Sequence, residues 1–262
     1  MSSQTHKRSH HREPHHAGDF LLFNSPLSPS KAHQLIQTLG LSPQQRVLDV
    51  GCGQGEFLLR LVEATGAWGL GIDLNQDAIQ KAQLAAKTRT PGGSPEFRAA
   101  DMQKEAWEDG TFDAALCIGS THAFGIGDQA YPNALQAMSR LVKPSGLLLI
   151  GECYWKQPPP QEYLALLGEP SGISRTHGEN VWLGQEHGLI PLYAATSNQD
   201  EWDHFEWSHI SKLERQAAAH PNDPQWRKKL ERGRAWRDGY LRWGRTTMGF
   251  GFYIFQKPAA SE

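Results

Sequence analysis

The stretch Val47-Leu48-Asp49-Val50-Gly51-Cys52-Gly53-Gln54-Gly55-Glu56-Phe57 decides the reading of this chain. Arg46 to Val50 is a short apolar strand, and three alternating glycines follow it directly. Glycines at such a turn let backbone approach a ligand closely, and the helix that follows aims its N-terminus at the same place. The spacing is G-x-G-x-G. Dinucleotide sites use G-x-G-x-x-G, and phosphate loops end in a lysine that is missing here. Asp49 and Glu56 flank the turn and would repel a pyrophosphate, so the turn suits a ligand carrying an ammonium group and a ribose.

Working outward, strands and helices alternate. Ser28-Pro29 opens a helix with Ala32, Leu35, Ile36 and Leu39 on one face, and Gly40 ends it. Strands are expected at Ala67–Ile72, Glu96–Ala100, Phe112–Ile118, Leu147–Ile150, Leu189–Thr196 and Met248–Phe255. Helices are expected after Phe57 and at Gln76–Lys87, Pro132–Val142, Glu162–Leu167, Val181–His187, Asp200–Ala219 and Gln225–Trp243. Such alternation predicts a doubly wound α/β fold, a parallel sheet with helices on both faces. Right-handed crossovers then bring the strands' C-terminal ends to one edge, where ligands bind.

Three carboxylates fall at that edge. Asp49 precedes the glycine turn, Asp73 closes the second strand and Asp101 closes the third. Asp73 is placed to accept hydrogen bonds from ribose hydroxyls, and Asp101 from an adenine amino group with Met102 against the ring. Each aspartate alone also fits a helix cap, but the three together describe one site.

These residues resemble the class I S-adenosylmethionine-dependent methyltransferases. Asp49-Val50-Gly51-Cys52-Gly53-Gln54-Gly55 is similar to their first motif, Gly71-Ile72-Asp73-Leu74 to the ribose-binding strand end, and Ala100-Asp101-Met102 to the adenine-binding one. Leu141 to Ile150 resembles their lead-in to the fifth strand, with Pro144-Ser145-Gly146 in place of Pro-Gly-Gly. Leu149 to Trp155, Asp200-Glu201-Trp202-Asp203 and the segment ending at Trp243-Gly244 resemble an uncharacterised bacterial branch that would span the chain from Phe20. The resemblance implies a mostly parallel, seven-stranded Rossmann-like sheet with an antiparallel last strand, and S-adenosylmethionine as cofactor. It also implies that Gly51, Cys52, Gly53 and Gly55 line the methionine portion and that Asp49 holds its ammonium. Asp73 and Leu74 would take the ribose and adenine edge, Asp101 and Met102 the adenine, and the backbone at Cys117-Ile118 the methionine chain.

The acceptor side is read from the remaining strand ends. His122, in Ser120-Thr121-His122-Ala123 after the fourth strand, is the first candidate base, because imidazole titrates near neutrality. Glu152, ending the fifth strand, is the second. Tyr154, Trp155, Trp202, Tyr240 and Trp243 are expected to form an acceptor pocket, with residues 199–246 as a helical lid between the last two strands. Core packing of that lid is the competing reading for these aromatics.

Composition limits the rest. The chain has 262 residues, a net charge of −2 and three cysteines too scattered for a disulfide framework, which fits a reducing cytoplasm. No apolar run is long enough for a membrane span. The histidine-rich start, residues 1–18, cannot bury a core and is expected to be a disordered tail, with residues 19–262 as the methyltransferase domain. No metal site is expected. Residues 225–245 are strongly basic, which keeps a nucleic-acid methyltransferase open as an alternative, but the base-methylation sequence Asn/Asp-Pro-Pro-Tyr/Phe is missing after the fourth strand. A cofactor-binding protein without turnover is the other alternative. A small-molecule acceptor is the reading preferred.

Overall fold

The computed structural model describes residues 21–90, 94–168 and 175–260. The histidine-rich start lies outside the described residues. Helix α1 (Pro29–Leu39) begins where the Ser28 hydroxyl accepts the Lys31 N–H, with proline at its first position, and it ends at Gly40 in the left-handed region, φ 58°. Strand β1 (Arg46–Val50) leads through the glycine turn into α2 (Glu56–Thr65). Then follow β2 (Trp68–Asp73), α3 (Gln76–Arg89, capped by Asn75), β3 (Glu96–Ala99) and β4 (Phe112–Ile118). The second half holds α4 (Ala130–Leu141), β5 (Val142–Trp155), α5 (Gln161–Leu167), α6 (His177–Glu186) and β6 (Ile190–Thr196). It closes with α7 (Gln199–Ala219), α8 (Pro224–Gly239) and β7 (Met248–Gln256).

The strands form one seven-stranded sheet in the order β3-β2-β1-β4-β5-β7-β6. The first five are parallel, and β7 runs antiparallel between β5 and β6. The doubly wound sheet and its antiparallel last strand are as expected. One face packs Leu35 of α1, Leu58 and Leu61 of α2, Ile79 of α3 and Tyr163 of α5. The other packs Tyr131, Leu135 and Met138 of α4 against Ile150, Tyr253 and Phe255, with Val181 and Leu183 of α6 at its margin. The central strands are therefore apolar on both faces, as buried parallel strands must be.

Two elements differ from expectation. Strand β5 reaches Trp155 rather than Ile150, because β7 pairs with it residue by residue from Leu147↔Gln256 to Trp155↔Met248. That partner lies a hundred residues away in sequence, and Gly151-Glu152 resembled a strand end without it. The last helix stops at Gly239, and Tyr240–Gly244 continue as one wider π-helical turn rather than as regular α-helix.

Candidate functional site

The glycine turn is built by backbone geometry. Gly51 and Gly53 sit in the left-handed region at φ 71° and 56°. A Cβ on Gly51 would come within 2.2 Å of the Ser120 Cβ, so the β4 loop closes directly over that glycine. A Cβ on Gly53 would meet nothing within 4 Å, because this glycine faces open space. Gly55 turns the other way, onto the ring of Phe97, and packs instead of facing that space.

That space is a cleft of about 480 Å³, within the usual range for small-molecule sites. Asp49, Gly51, Cys52 and Gly53 line one side, with Asp73 and Asn75 beside them. Ile118, Gly119 and Ser120 at the end of β4, followed by His122, line the next. Asp73 is held in place by its neighbours. Its Oδ2 accepts the Gly53 N–H at 2.9 Å and its Oδ1 the Asn75 N–H at 2.8 Å. Asp49 is 4% exposed, and burial together with the Asp73 charge pushes its pKa up to about 7. The same burial and the two carboxylates push the Cys52 thiol up, so it stays protonated and is no nucleophile. Glu56 also borders the cleft, but Arg60 and Arg89 neutralise it.

One wall was not expected from sequence, and a second comes from the segment expected as a lid. Residues 21–27, ahead of α1, form a strap along the cleft, and Leu21, Leu22, Phe23, Asn24, Ser25 and Leu27 face it. Their sequence signal was slight: Leu21-Leu22-Phe23 is an apolar run where the histidine-rich start ends. Opposite, Ser208, His209 and Lys212 of α7 overhang the opening. One carboxylate ties these walls together. Glu201, near the start of α7, accepts the Ser28 hydroxyl, the Ser28 N–H at 3.4 Å, the Asn198 N–H at 2.7 Å and the Lys31 ammonium. It therefore caps the N-termini of both α1 and α7. Ser197 also donates its hydroxyl to the Pro26 carbonyl.

Other expected residues lie elsewhere. Leu74 is 72% exposed beside Asp73 and does not line the cleft. Asp101 points at the Gln103 N–H and Lys104, which hold its carboxyl below the usual range. Met102 is buried in the core on the α4 face, and the Cys117 side chain, within β4, is fully buried in the same core. Glu152 stands behind the cleft loop, where it accepts the Thr121 hydroxyl and the Cys153 N–H, and burial raises its pKa.

The five aromatics expected around an acceptor are not in the cleft lining. Tyr163 packs between Trp155, edge to face at 6.2 Å, and Trp243, tilted at 6.0 Å, while Tyr154 lies tilted against His177 and Trp202 meets Phe250. Tyr240 is 1% exposed and donates its hydroxyl to Asp203. These side chains seat the helices against the sheet. The basic helix also finds partners that its own sequence lacks. Arg234 pairs with Glu214 of α7, and Arg245, just beyond α8, pairs with Asp203.

Comparison with known proteins accords with this geometry. Residues 47–146 match the family described as a methyltransferase domain. A solved S-adenosylmethionine-dependent methyltransferase from Geobacter sulfurreducens, in complex with S-adenosyl-L-homocysteine, superposes with a TM-score of 0.80. It is 26% identical and covers 89% of this chain and 92% of its own. The chain is a class I S-adenosylmethionine-dependent methyltransferase. The methyltransferase is also 27% identical to the uncharacterised Escherichia coli protein YjhP, over 76% of this chain and 79% of that one. The solved YjhP structure superposes with a TM-score of 0.78 at 25% identity and covers 91% of this chain and 95% of its own. Among the described residues no helix is long and apolar enough to cross a membrane, and no cluster of histidine, cysteine, aspartate or glutamate could hold a metal ion.

Proposed function

We propose that this cleft holds S-adenosylmethionine and that the enzyme passes its methyl group to a small molecule entering between the strap and α7. The observation that carries the reading is the pair Asp49 and Asp73 beside the open face of Gly53. Two carboxylates forced together need a cation and hydroxyl donors, and the cofactor's ammonium and ribose supply both. Asp49 takes the ammonium. Asp73, already oriented by the Gly53 and Asn75 N–H groups, keeps free lone pairs for the ribose hydroxyls. Gly51 and Gly53 let the backbone approach the methionine chain, with Cys52 and Ile118 beside it.

The bound cofactor supplies an electrophilic methyl on a sulfonium. The chain aligns an acceptor lone pair with that methyl and removes water from around it, which alone contributes several kcal/mol. His122 faces the cleft from the β4 loop and is placed to take the acceptor's proton or to orient it. Glu152 acts through Thr121, holding that loop in position rather than touching the acceptor. The arginines of the basic helix and its end that pair with Glu214 and Asp203 are spent within the molecule, which favours a small acceptor over a nucleic acid. Residues 199–246 then work as a lid whose α7 flank closes the cleft.

Calorimetric titration with S-adenosylmethionine, S-adenosylhomocysteine and a dinucleotide control tests this. Saturable binding of the first two and none of the third is expected. A folded protein that binds neither sulfur nucleoside overturns the reading.

A further inference from the structure

Between α7 and α8 lies a second cavity, of about 320 Å³, that the proposed chemistry leaves unused. Phe205, Ile210 and Leu213 of α7 and Trp236 of α8 give it apolar walls, and His209 stands in its lining and in that of the cofactor cleft. The two spaces therefore meet at one side chain. Within the apolar walls sits a carboxylate, Glu206, only 8% exposed. Its Oε2 accepts the Trp236 indole N–H at 2.7 Å, and no cation pairs with it among the described residues. Burial pushes its pKa up to about 7. The nearest guanidinium in the lining, Arg237, is drawn to Asp238 at 2.7 Å and Glu214 at 3.9 Å.

Two helices that needed only to be joined would be joined better by apolar side chains, because an unpaired buried carboxylate weakens the fold. A carboxylate kept beside empty apolar space is instead the form of a ligand site: hydrophobic walls with one polar group that fixes orientation. Resting on the function proposed above, we propose that this cavity is the acceptor subsite. It takes the aliphatic or aromatic body of a lipophilic amine whose ammonium pairs with Glu206. A hydroxyl or second amine at its far end passes His209 into the cofactor cleft and offers the lone pair that would accept the methyl, as the sulfonium becomes a thioether and His122 takes the proton.

Octylamine and 1-octanol are suitable probes, titrated without cofactor by calorimetry and by saturation-transfer NMR into wild type, Glu206→Gln and Leu213→Trp. Octylamine is expected to bind wild type saturably and Glu206→Gln at least tenfold more weakly. Octanol should bind both alike, and Leu213→Trp, which fills the cavity, should lose both probes. S-adenosylhomocysteine titration of the same three proteins should give one common affinity. Absent octylamine binding, or equal binding to wild type and Glu206→Gln, overturns the amine site and leaves the carboxylate as a helix-to-helix tie. Octylamine binding without any S-adenosylhomocysteine binding overturns the cofactor reading and with it the acceptor role, while the amine site itself stands.

Discussion

Asp49 in the cofactor cleft and Glu206 between α7 and α8 are both buried, and both are pushed up to about 7. Their surroundings differ. Asp49 has a second carboxylate beside it and polar backbone around it, whereas Glu206 has apolar side chains and one indole N–H. Burial supplies the larger cause in both, but repulsion from Asp73 adds to it only at Asp49. At these two sites a raised pKa marks a buried carboxylate without a cation paired to it, and the neighbouring atoms say what kind of cation would fit.

The largest effect that tests this contrast is on stability. Glu206 holds its proton up to about pH 7 when folded and only to 4.5 when unfolded. The stability tied to that proton is complete below pH 4.5 and is lost as pH rises through 7. Glu206→Gln should therefore stabilise the protein by about 3 kcal/mol at pH 8 and by nothing measurable at pH 4, read from urea denaturation at each pH. Asp49→Asn should shift stability in the same sense yet lose cofactor binding, which Glu206→Gln should leave intact. If both variants lose the cofactor, the two regions are one site. Next comes Asp73→Ala, which should weaken S-adenosylhomocysteine by roughly 1.5–3 kcal/mol, seen by calorimetry, with no effect on octylamine.

Glu201→Gln should cost about 1–2 kcal/mol of stability in denaturant, since one change weakens two helix caps and an ion pair. Its amides in the strap should exchange faster, and an unchanged exchange rate would separate the strap from α7. Gly53→Ala should have the smallest effect on stability, read in denaturant without cofactor. Only the left-handed backbone opposes it, at about 1 kcal/mol, because its Cβ meets nothing.

The cleft was legible in sequence to the extent that it is local. Asp49 and Asp73 lie at the C-terminal ends of β1 and β2, which the alternation of strand and helix brings to one edge of the sheet. Their sides of the sheet could be read before any contact was known. The packing of residues 199–246 was not legible in this way. Whether Trp202 or Tyr240 faces a ligand or the core depends on how a helix rotates against the sheet, and Phe250 and Asp203 settle that from afar. Glu201 and Ser28 are separated by 173 residues, so no local pattern announced that strap and lid share a carboxylate. Glu206 was invisible for the same reason: an acidic residue in an amphipathic helix looks solvated until Trp236 is laid over it.

The crowding of Asp49 against Asp73 has a thermochemical consequence. With a pKa near 7, Asp49 carries a proton in about half of the ligand-free molecules at neutral pH. An arriving ammonium would expel that proton, so filling the cleft becomes an exchange of one cation for a fraction of another. The heat of binding should then differ between phosphate and Tris by that fraction of their ionisation enthalpies. The apparent affinity should rise as the solution is made more alkaline, until Asp49 is fully ionised.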